Sequence, residues 1–313
     1  MSNEFLVTGA TGFVGSNIVR RLISKNKNVH VIVRNKNLNW RIRDLFSKIT
    51  IHEVDLLAPD LLKVINKIKP SYIFHLAAYG SLPQEKDLNT LLETNLLGTA
   101  NLINAVKQNK FKLFINTGSS SEYGIKEKAM EETDLLVPIN NYGVIKASST
   151  LYANREAIRE NLPIVTFRLF SPYGPYEYPT RLIPYVILRA LKNKTIKLAN
   201  KKSVRDFTYI EDVVNAYMRA CNLNLKPGEI FNIATGTQYS VKELVDRVLE
   251  KTRSLSRIEW GGMPSQERQF EPTIWKGDTK KSRKILGWRA LHELSEGIEK
   301  TVEWFKKNST LYE

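Results

Sequence analysis

Short apolar runs alternate with longer amphipathic stretches along the first half of the chain. The short runs are rich in β-branched residues, which is typical of buried strands, and the longer stretches carry apolar residues at helical spacing. Strands are predicted at 5–8, 29–33, 51–54, 72–76, 112–116 and 164–167. Helices are predicted at 13–24, 88–108 and 142–159. Because the two kinds of segment alternate, the pattern predicts an α/β fold with a parallel sheet built from βαβ units.

The pattern changes after Arg168. Pro172, Gly174, Pro175 and Pro179 crowd a short segment that cannot continue a helix or a central strand. Beyond this segment, helices are predicted at 182–191, 241–252 and 294–305, and a strand at 230–233. A second, smaller mixed α/β region is therefore predicted over residues 169–313.

Composition narrows the class of protein. With 313 residues, 42% of them apolar, the chain can bury a large core in one compound domain or two closely packed ones. Its one cysteine, Cys221, excludes an intrachain disulfide framework and disfavours a cysteine-built zinc site, so no metal site is predicted. The amino-terminal residues lack a basic region and a long apolar run, from which we expect a cytoplasmic protein and no membrane partner.

The formal net charge of +15 favours anionic ligands, either nucleic acid or a small molecule carrying phosphates. Lysines such as Lys192, Lys194 and Lys197 are spread through polar stretches, which is typical of a solvated surface. No helix-turn-helix, zinc-finger or RNA-binding signature accompanies the charge, and we therefore expect no nucleic-acid partner.

A glycine-rich loop follows the first predicted strand, and a predicted helix begins within it. Glycines at such a turn let the backbone approach a diphosphate, and the free N–H groups of the helix N-terminus face the anion. The alternative is a tight turn that binds no ligand. Since a strand precedes the loop and a helix follows it, we predict a dinucleotide site that includes Gly9, Thr11, Gly12, Phe13, Val14 and Gly15.

The end of the second predicted strand bears on the choice between NAD and NADP. A carboxylate at this turn binds the adenosine ribose diol, whereas an arginine accepts the additional phosphate of NADP. Here the strand is followed by Arg34 and Asn35 with no acid, which favours NADP and leaves NAD possible. Asp55 and Leu56, after the third strand, are predicted to meet the adenine, although Asp55 could instead cap its own loop.

Tyr142 and Lys146 are four residues apart and share a face if they lie on a helix. A phenol titrates near about 10, and one ammonium at about 4 Å contributes about 4 kcal/mol at an effective dielectric near 20. We therefore expect Lys146 to lower the pKa of Tyr142 enough for proton transfer. Ser119, in the serine cluster after the fifth strand, is predicted to hold a substrate oxygen beside Tyr142; the cluster could also only satisfy its own backbone.

Several motifs together resemble an extended short-chain dehydrogenase/reductase of the sugar-nucleotide epimerase/dehydratase family. Besides the glycine loop and the Tyr142–Lys146 pair, they are His75-Leu76-Ala77-Ala78, Asn95-Leu96-Leu97-Gly98-Thr99, the serines before Tyr123-Gly124, Tyr173-Gly174-Pro175, the stretch from Arg205 to Asp212, and Leu286-Gly287-Trp288. The resemblance implies a Rossmann-type doubly wound sheet over 1–168, to which the strand near 230–233 returns. It also implies that 169–313 mainly bind substrate, and that the protein is a homodimer.

The resemblance also implies roles for individual residues. Ser119, Tyr142 and Lys146 match the catalytic residues, and Tyr142 and Lys146 also contact the cofactor. Leu76, Ala77 and Ala78 match the wall of the cofactor site. The residues implied to bind a nucleotide-diphosphate sugar are Tyr79, Ser120, Ser121, Ser171, Arg181, Arg205 and Arg268. Ser120 and Ser121 stand where 4,6-dehydratases carry an Asp-Glu pair, and hydroxyls cannot replace those acids, which disfavours dehydration.

Three functions remain open from the sequence. The first is NADP-dependent reduction of the 4-keto group of a nucleotide-linked 4-keto-6-deoxyhexose, and the similarity of 181–184 and 203–207 to deoxysugar reductases favours it. The second is NAD-dependent 4-epimerisation of a nucleotide sugar by the same three residues. The third is a dinucleotide-sensing or RNA-binding relative without turnover, which the presence of the complete catalytic set disfavours.

Overall fold

A computed structural model describes residues 3–35, 40–82, 84–261 and 272–312. The strands are β1 (Phe5–Thr8), β2 (Val29–Val33), β3 (Thr50–Glu53), β4 (Tyr72–His75), β5 (Leu113–Ser119), β6 (Ile164–Leu169), β7 (Pro172–Tyr173), β8 (Ile196–Leu198), β9 (Val204–Arg205), β10 (Thr208–Tyr209), β11 (Ile230–Ile233), β12 (Tyr239–Ser240) and β13 (Ile258–Trp260). The helices are α1 (Phe13–Ser24), α2 (Leu61–Ile68), α3 (Leu88–Leu92), α4 (Gly98–Val106), α5 (Asn141–Arg159), α6 (Leu182–Leu191), α7 (Ile210–Ala220), α8 (Val241–Thr252) and α9 (Leu294–Asn308).

The main sheet has seven parallel strands in the order β11-β6-β5-β4-β1-β2-β3. The chain starts in the middle of the sheet, winds outward to β3, and then returns past β1 to build the other half. Because the seven strands are parallel, their carboxyl ends meet at one edge of the sheet, which is where doubly wound folds bind their ligands. The predicted α/β fold class is confirmed.

Helices cover both faces of the main sheet, which explains why its strands read as continuous apolar runs. On one face α1 packs against α7, and their buried residues Ile18 and Val213 belong to the larger core cluster. On the other face α2, α4 and α5 pack together over a second cluster that includes Leu102 and Ala153.

The second half of the chain adds short sheets and a helical layer. Three two-stranded sheets pair β10 with β7, β12 with β9, and β13 with β8. Helices α6, α8 and α9 pack against one another beside them. β11 pairs with β6 in the main sheet. The strand near 230–233 therefore joins the first-half sheet, as the family resemblance implies. The division into two domains stays a prediction.

Some predicted boundaries were wrong. β5 continues to Ser119 instead of ending at 116, because Thr117 to Ser119 keep pairing with β6 despite their polar side chains. The helix predicted at 88–108 consists of α3 and α4 joined by a π-helical turn, Glu93–Leu97. The 3₁₀ segment Trp40–Lys48 was not predicted. Within the described residues no helix is long and apolar enough to cross a membrane.

Candidate active site

The glycine loop makes a tight turn between β1 and α1. Gly9 has φ +67°, and the N–H of Gly12 donates to the Gly9 carbonyl at 3.0 Å. A Cβ on Gly9 would lie 2.4 Å from the Leu76 carbonyl carbon, and one on Gly15 would lie 2.2 Å from the Gly9 oxygen. Larger residues therefore do not fit at either position, and the backbone of the loop is left open to a ligand beside the first turn of α1.

Other predicted cofactor residues surround this loop. Thr11, Phe13 and Val14 are half-buried on the turn and on the first residues of α1. Leu76 and Ala77 lie against Gly9, where the Leu76 N–H donates to the Thr8 carbonyl at 3.2 Å, and the exposed Ala78 follows them at the sheet edge. The loop and the end of β4 thus lie side by side at the carboxyl edge of the sheet.

The residues predicted to bind the adenosine half of the cofactor follow β2 and β3. Arg34 and Asn35 are exposed after β2. Asp55 is half-buried and its Oδ1 accepts the N–H of Leu57 at 2.8 Å, which is the loop cap that the sequence left open as an alternative. Leu56 is buried in the core, close to Gly98. A dinucleotide role for these residues stays a prediction.

Arg41 is a basic residue beside the glycine loop that the sequence reasoning missed. It is 3% exposed; its Nε donates to the Tyr176 carbonyl at 2.7 Å and its Nη1 to the Thr11 carbonyl at 3.3 Å. Its guanidinium stacks on the Trp40 and Tyr178 rings at 4.3 and 4.0 Å. Its Nη2 has no hydrogen-bond partner within the described residues. A buried cation with an unused donor, held against the glycine loop, is suited to an anionic ligand.

The three predicted catalytic residues come together at the carboxyl edge of the sheet. Ser119 ends β5, and its Oγ accepts the Ser121 N–H at 3.1 Å. The phenol of Tyr142, on the first turn of α5, lies close enough to the Ser119 side chain for the serine to act on its pKa. Asn140 caps this helix by accepting the Gly143 N–H at 2.8 Å, which sets the position of Tyr142 next to the serine loop.

The pKa of Tyr142 is raised, whereas the sequence analysis expected it to be lowered. Burial raises the pKa of the Tyr142 phenol to about 12, and the opposing effects come from the Arg181 guanidinium and then from Ser119. Burial lowers the pKa of the Lys146 ammonium to about 8. The expectation that Lys146 is the cation acting on Tyr142 was wrong for this arrangement, because the Lys146 ammonium donates to the Thr117 carbonyl.

Ser120 and Ser121 follow Ser119 on a short 3₁₀ turn. Ser120 is buried, and its Oγ accepts a hydrogen bond from the indole Nε1 of Trp275 at 3.2 Å, while Ser121 is half-buried. The guanidinium of the half-buried Arg205 lies 5.0 Å from the centre of the Trp275 ring. Trp275 therefore joins two of the predicted substrate residues; sequence reasoning missed it because it lies in an irregular segment without a motif.

The remaining predicted substrate residues lie on several different loops. Arg181 immediately precedes α6; its Nη1 donates to the Ser81 carbonyl at 2.8 Å and its Nε lies 3.6 Å from Glu177 Oε1. Tyr79 is held by Asn95, whose amide oxygen accepts the Tyr79 N–H at 2.9 Å. Ser171 has φ +26°, an uncommon conformation for serine, in the turn after β6. Arg268 lies outside the described residues.

The described part of the chain contains no group of three or more His, Cys, Asp or Glu side chains that could hold a metal ion. At the carboxyl edge of the sheet, the hydroxyl of Ser119, the phenol of Tyr142 and the ammonium of Lys146 lie beside the glycine loop. Such a set can move a proton on or off an oxygen next to a bound nicotinamide.

Residues 5–234 match the model of the NAD dependent epimerase/dehydratase family. The chain belongs to this family. The match starts at β1 and ends just after β11, so it covers the main sheet, the glycine loop and the catalytic group. Members of the family are NAD(P)-dependent enzymes that modify nucleotide sugars, and this chain is such an enzyme.

Named relatives in the family fall into two activities. The chain is 27% identical to dTDP-glucose 4,6-dehydratase 1 of Escherichia coli K12, over 98% of this chain and 93% of the relative. It is 30% identical to UDP-glucose 4-epimerase of Mycolicibacterium smegmatis, over 97% of this chain and 99% of the relative. The crystal structure of UDP-glucuronic acid 4-epimerase from Bacillus cereus with UDP-glucuronic acid and NAD superimposes with a TM-score of 0.86 at 26% identity, over 97% of this chain and 99% of that chain.

Proposed function

We propose that this enzyme reduces the 4-keto group of a nucleotide-diphospho-4-keto-6-deoxyhexose with NADPH. The observation that carries the proposal is Arg41, the buried arginine against the glycine loop whose Nη2 has no partner within the described residues. Arg41 supplies positive charge beside the glycine loop. The exposed Arg34 after β2 supplies it where NADP would carry its additional phosphate. No acid follows β2, where an NAD-dependent relative would bind the ribose diol.

The cleft fits a nicotinamide dinucleotide. The positions of Gly9 and Gly15 leave no room for a Cβ, so the loop backbone and the N-terminus of α1 would hold a diphosphate. We assign the diphosphate to this loop and the nicotinamide ribose to Tyr142 and Lys146. When bound, the reduced nicotinamide supplies a hydride to a carbonyl carbon.

The chain itself supplies the proton. As the hydride adds to the sugar C4, the π pair of the carbonyl moves to oxygen, and the Tyr142 O–H protonates that oxygen while Ser119 orients it. A Tyr142 pKa of about 12 keeps the phenol protonated at neutral pH, which is the form that reduction requires. An epimerase begins with the reverse step, in which the same phenolic oxygen takes a proton from the sugar hydroxyl. The choice between the two reactions therefore rests on the cofactor.

Dehydration is not supported, although several named relatives are dehydratases. The residues after Ser119 are Ser120 and Ser121, and the Ser120 hydroxyl is buried beneath Trp275. Neither position offers a carboxylic acid or a carboxylate to remove water from a sugar. The substrate that we propose already lacks the 6-hydroxyl. Arg181 and Arg205 are our candidates for binding its diphosphate.

The second candidate is an NAD-dependent 4-epimerase. The observation in its favour is the 30% identity to a UDP-glucose 4-epimerase over nearly the whole chain. Ser119, Tyr142 and Lys146 serve this reaction equally well, since oxidation and reduction at C4 use the same groups. The two candidates differ in the cofactor: an epimerase retains its dinucleotide, whereas a reductase exchanges it at every turnover.

The test separates these candidates directly. The purified enzyme is denatured to release any bound dinucleotide, which is identified, and NADPH and NADH consumption are measured with dTDP- and CDP-linked 4-keto-6-deoxyhexoses. We expect consumption of NADPH in preference to NADH. Retained NAD, no consumption of either cofactor, and interconversion of UDP-glucose and UDP-galactose would replace the proposal with the epimerase.

We also propose that the enzyme is a cytoplasmic homodimer formed through α5 and its neighbour α4. Val144, Leu151 and Ile158 on α5 are 47%, 59% and 64% exposed and recur every seven residues along one face of the helix. Such an apolar stripe favours contact with a second copy of the chain. The free Cys221 fits a reducing compartment.

A further inference from the structure

Glu122 is a buried carboxylate directly behind the serine loop. It is fully buried on the 3₁₀ turn that follows Ser119. Its Oε1 accepts the Ser119 N–H at 2.8 Å and the Thr150 hydroxyl at 3.1 Å. Its Oε2 accepts the Nε–H of Arg168 at 2.7 Å, so both oxygens are used. The carboxylate therefore links three elements, namely the end of β5, β6 and α5.

The contact with α5 is made on the catalytic face of that helix. Tyr142, Lys146 and Thr150 follow one another at intervals of four residues and so lie on the same face. Because Glu122 accepts from both Ser119 and Thr150, it sets the spacing between the serine loop and the helix that carries the phenol and the ammonium. A small error in that spacing is costly for a reaction that needs all three groups aligned.

Arg168 pairs with the Glu122 carboxylate away from solvent. Arg168 is 1% exposed, its guanidinium stacks on the Tyr123 ring at 4.5 Å, and its Nη1 donates to the Glu132 carbonyl at 3.3 Å. Gly118 makes room for the pair, since a Cβ there would lie 2.6 Å from Glu122 Oε1. A buried ion pair contributes little net stability compared with well-packed apolar side chains, so stability alone does not account for this one.

We propose that Glu122 is a positioning residue for the reaction, which aligns Ser119 with Tyr142 and supplies the fixed negative charge that Tyr142 and Lys146 face. The inference rests on the proposed roles of those three residues. The Glu122 carboxylate raises the pKa of Tyr142 and of Lys146, against the lowering that burial causes in the lysine. The other charged or titratable groups facing this pair are Arg181 and Glu85 on the side of Tyr142, and His75, held neutral by burial, on the side of Lys146.

The test follows the Lys146 ammonium and needs no sugar substrate. The protein is labelled with 13C at the lysine ε-carbons, and the Lys146 signal is assigned by its loss in Lys146→Met. We expect Glu122→Gln to lower the titration midpoint of Lys146, which is near 8 in the parent, by about half a unit or more. With the substrate from the previous section, kcat should fall on the order of tenfold while the KM for NADPH stays constant.

The control is Glu156, a second buried glutamate, which lies on α5, the helix that carries Lys146. Glu156 is 1% exposed and pairs with Lys107 at 3.0 Å, more than two helical turns beyond Lys146. Glu156→Gln should change stability and leave the Lys146 midpoint where it is. If Glu122→Gln does not fold, Glu122→Leu/Arg168→Met removes both charges without leaving one unpaired; a smaller lowering of the midpoint is then expected, because a nearby positive charge is lost as well.

An unchanged Lys146 midpoint in the folded single or double variant would overturn the proposal. A lowered midpoint with parental kcat would also overturn it, because the charge would then act without aligning the catalytic groups. Failure of the sugar panel, with a lowered midpoint, would instead count against the proposed substrate and leave the role of the Glu122 charge standing.

Discussion

The indole Nε1–H of Trp275 donates to the Oγ of Ser120 at 3.2 Å, across 155 residues of sequence. Arg205, a candidate for binding the substrate diphosphate, lies over the same indole at 5.0 Å. One aromatic side chain thus connects the serine loop, where the sugar reacts, with the arginine proposed to hold its phosphates. The segment that carries Trp275 is in turn fixed by Asp206, whose Oδ2 accepts the Gly277 N–H at 3.2 Å.

This connection predicts a defect in substrate binding when the indole is replaced. Trp275→Phe keeps a ring but loses the donor to Ser120 and part of the support for Arg205, so the KM for the nucleotide sugar should rise about threefold to tenfold. Trp288→Phe is the matched control, since Trp288 Nε1 donates to the Asp212 carbonyl at 3.0 Å inside the core. Steady-state kinetics should show a raised KM for the first variant only. Equal KM values in both variants would exclude the role given to Trp275.

The cofactor preference should depend on Arg41 and Arg34. Arg41→Met removes a charged donor next to the glycine loop, so the affinity for NADPH should fall about tenfold to a hundredfold while the affinity for NADH changes little. Arg34→Asp should shift the preference further toward NADH, because a carboxylate repels the additional phosphate. Arg43→Met, an exposed arginine on the same 3₁₀ segment, is the control. Fluorescence titration measures these affinities; a constant ratio would mean that the enzyme does not select NADP through these residues.

Glu177 makes folding stability depend on pH. It is 4% exposed, its Oε2 has no partner within the described residues, and burial raises its pKa to about 8, against the effect of Arg181. Since the folded pKa lies above the ordinary value of 4.5, protonation favours the folded state. This contribution is complete below pH 4.5 and is lost as the pH rises through about 8.

A glutamine that mimics the protonated acid should remove this dependence. The Tm of Glu177→Gln should match the parent at acidic pH and exceed it by a few degrees, on the order of 1–2 kcal/mol, near pH 9. Glu299→Gln changes a half-exposed carboxylate and serves as the control for net charge. Thermal unfolding between pH 5 and 9 measures the difference. Parallel Tm curves for Glu177→Gln and the parent would show that Glu177 is ionised in the folded protein.

The proposed dimer should depend on the apolar stripe of α5. Leu151, in the middle of the stripe, is 59% exposed, and a charge placed there would be buried against the second copy. Leu151→Glu should therefore convert a dimer to a monomer in sedimentation velocity. Leu255→Glu, at a 93% exposed leucine outside the stripe, should leave the dimer intact. A parent that sediments as a monomer, or a Leu151→Glu variant that stays dimeric, would show that this face is not the interface.

The sequence patterns predicted those strands and turns whose residues interact mainly with their neighbours along the chain. The apolar runs at 5–8 and 29–33 match β1 and β2, and the glycine loop lies between β1 and α1, because burial and turn chemistry act within a few residues. The end of β5 was missed for the opposite reason. Its last residues are polar, and their pairing with β6 is a tertiary interaction that no local period shows.

The candidate site shows the same division. Ser119, Tyr142 and Lys146 stand in motifs with fixed spacing, so the sequence alone pointed to them. Arg41 and Glu122 do not: Arg41 contacts Tyr176 across 135 residues, and Glu122 contacts Arg168 across 46. The shift of the Tyr142 pKa also depends on such contacts. Burial raises this pKa and Arg181 opposes the rise, while the Lys146 ammonium donates to a carbonyl.

The central claim is that hydride goes to a sugar C4 while Tyr142 protonates the oxygen. The most direct measurement is deuterium transfer from NADPH that carries deuterium at both hydrogen positions of its nicotinamide C4, with the sugar product analysed by NMR and mass spectrometry. The account predicts one deuterium at the sugar C4 for each NADPH consumed, and a rate about a hundredfold or more lower in Tyr142→Phe. A product without deuterium at C4, or a Tyr142→Phe variant as fast as the parent, would contradict it.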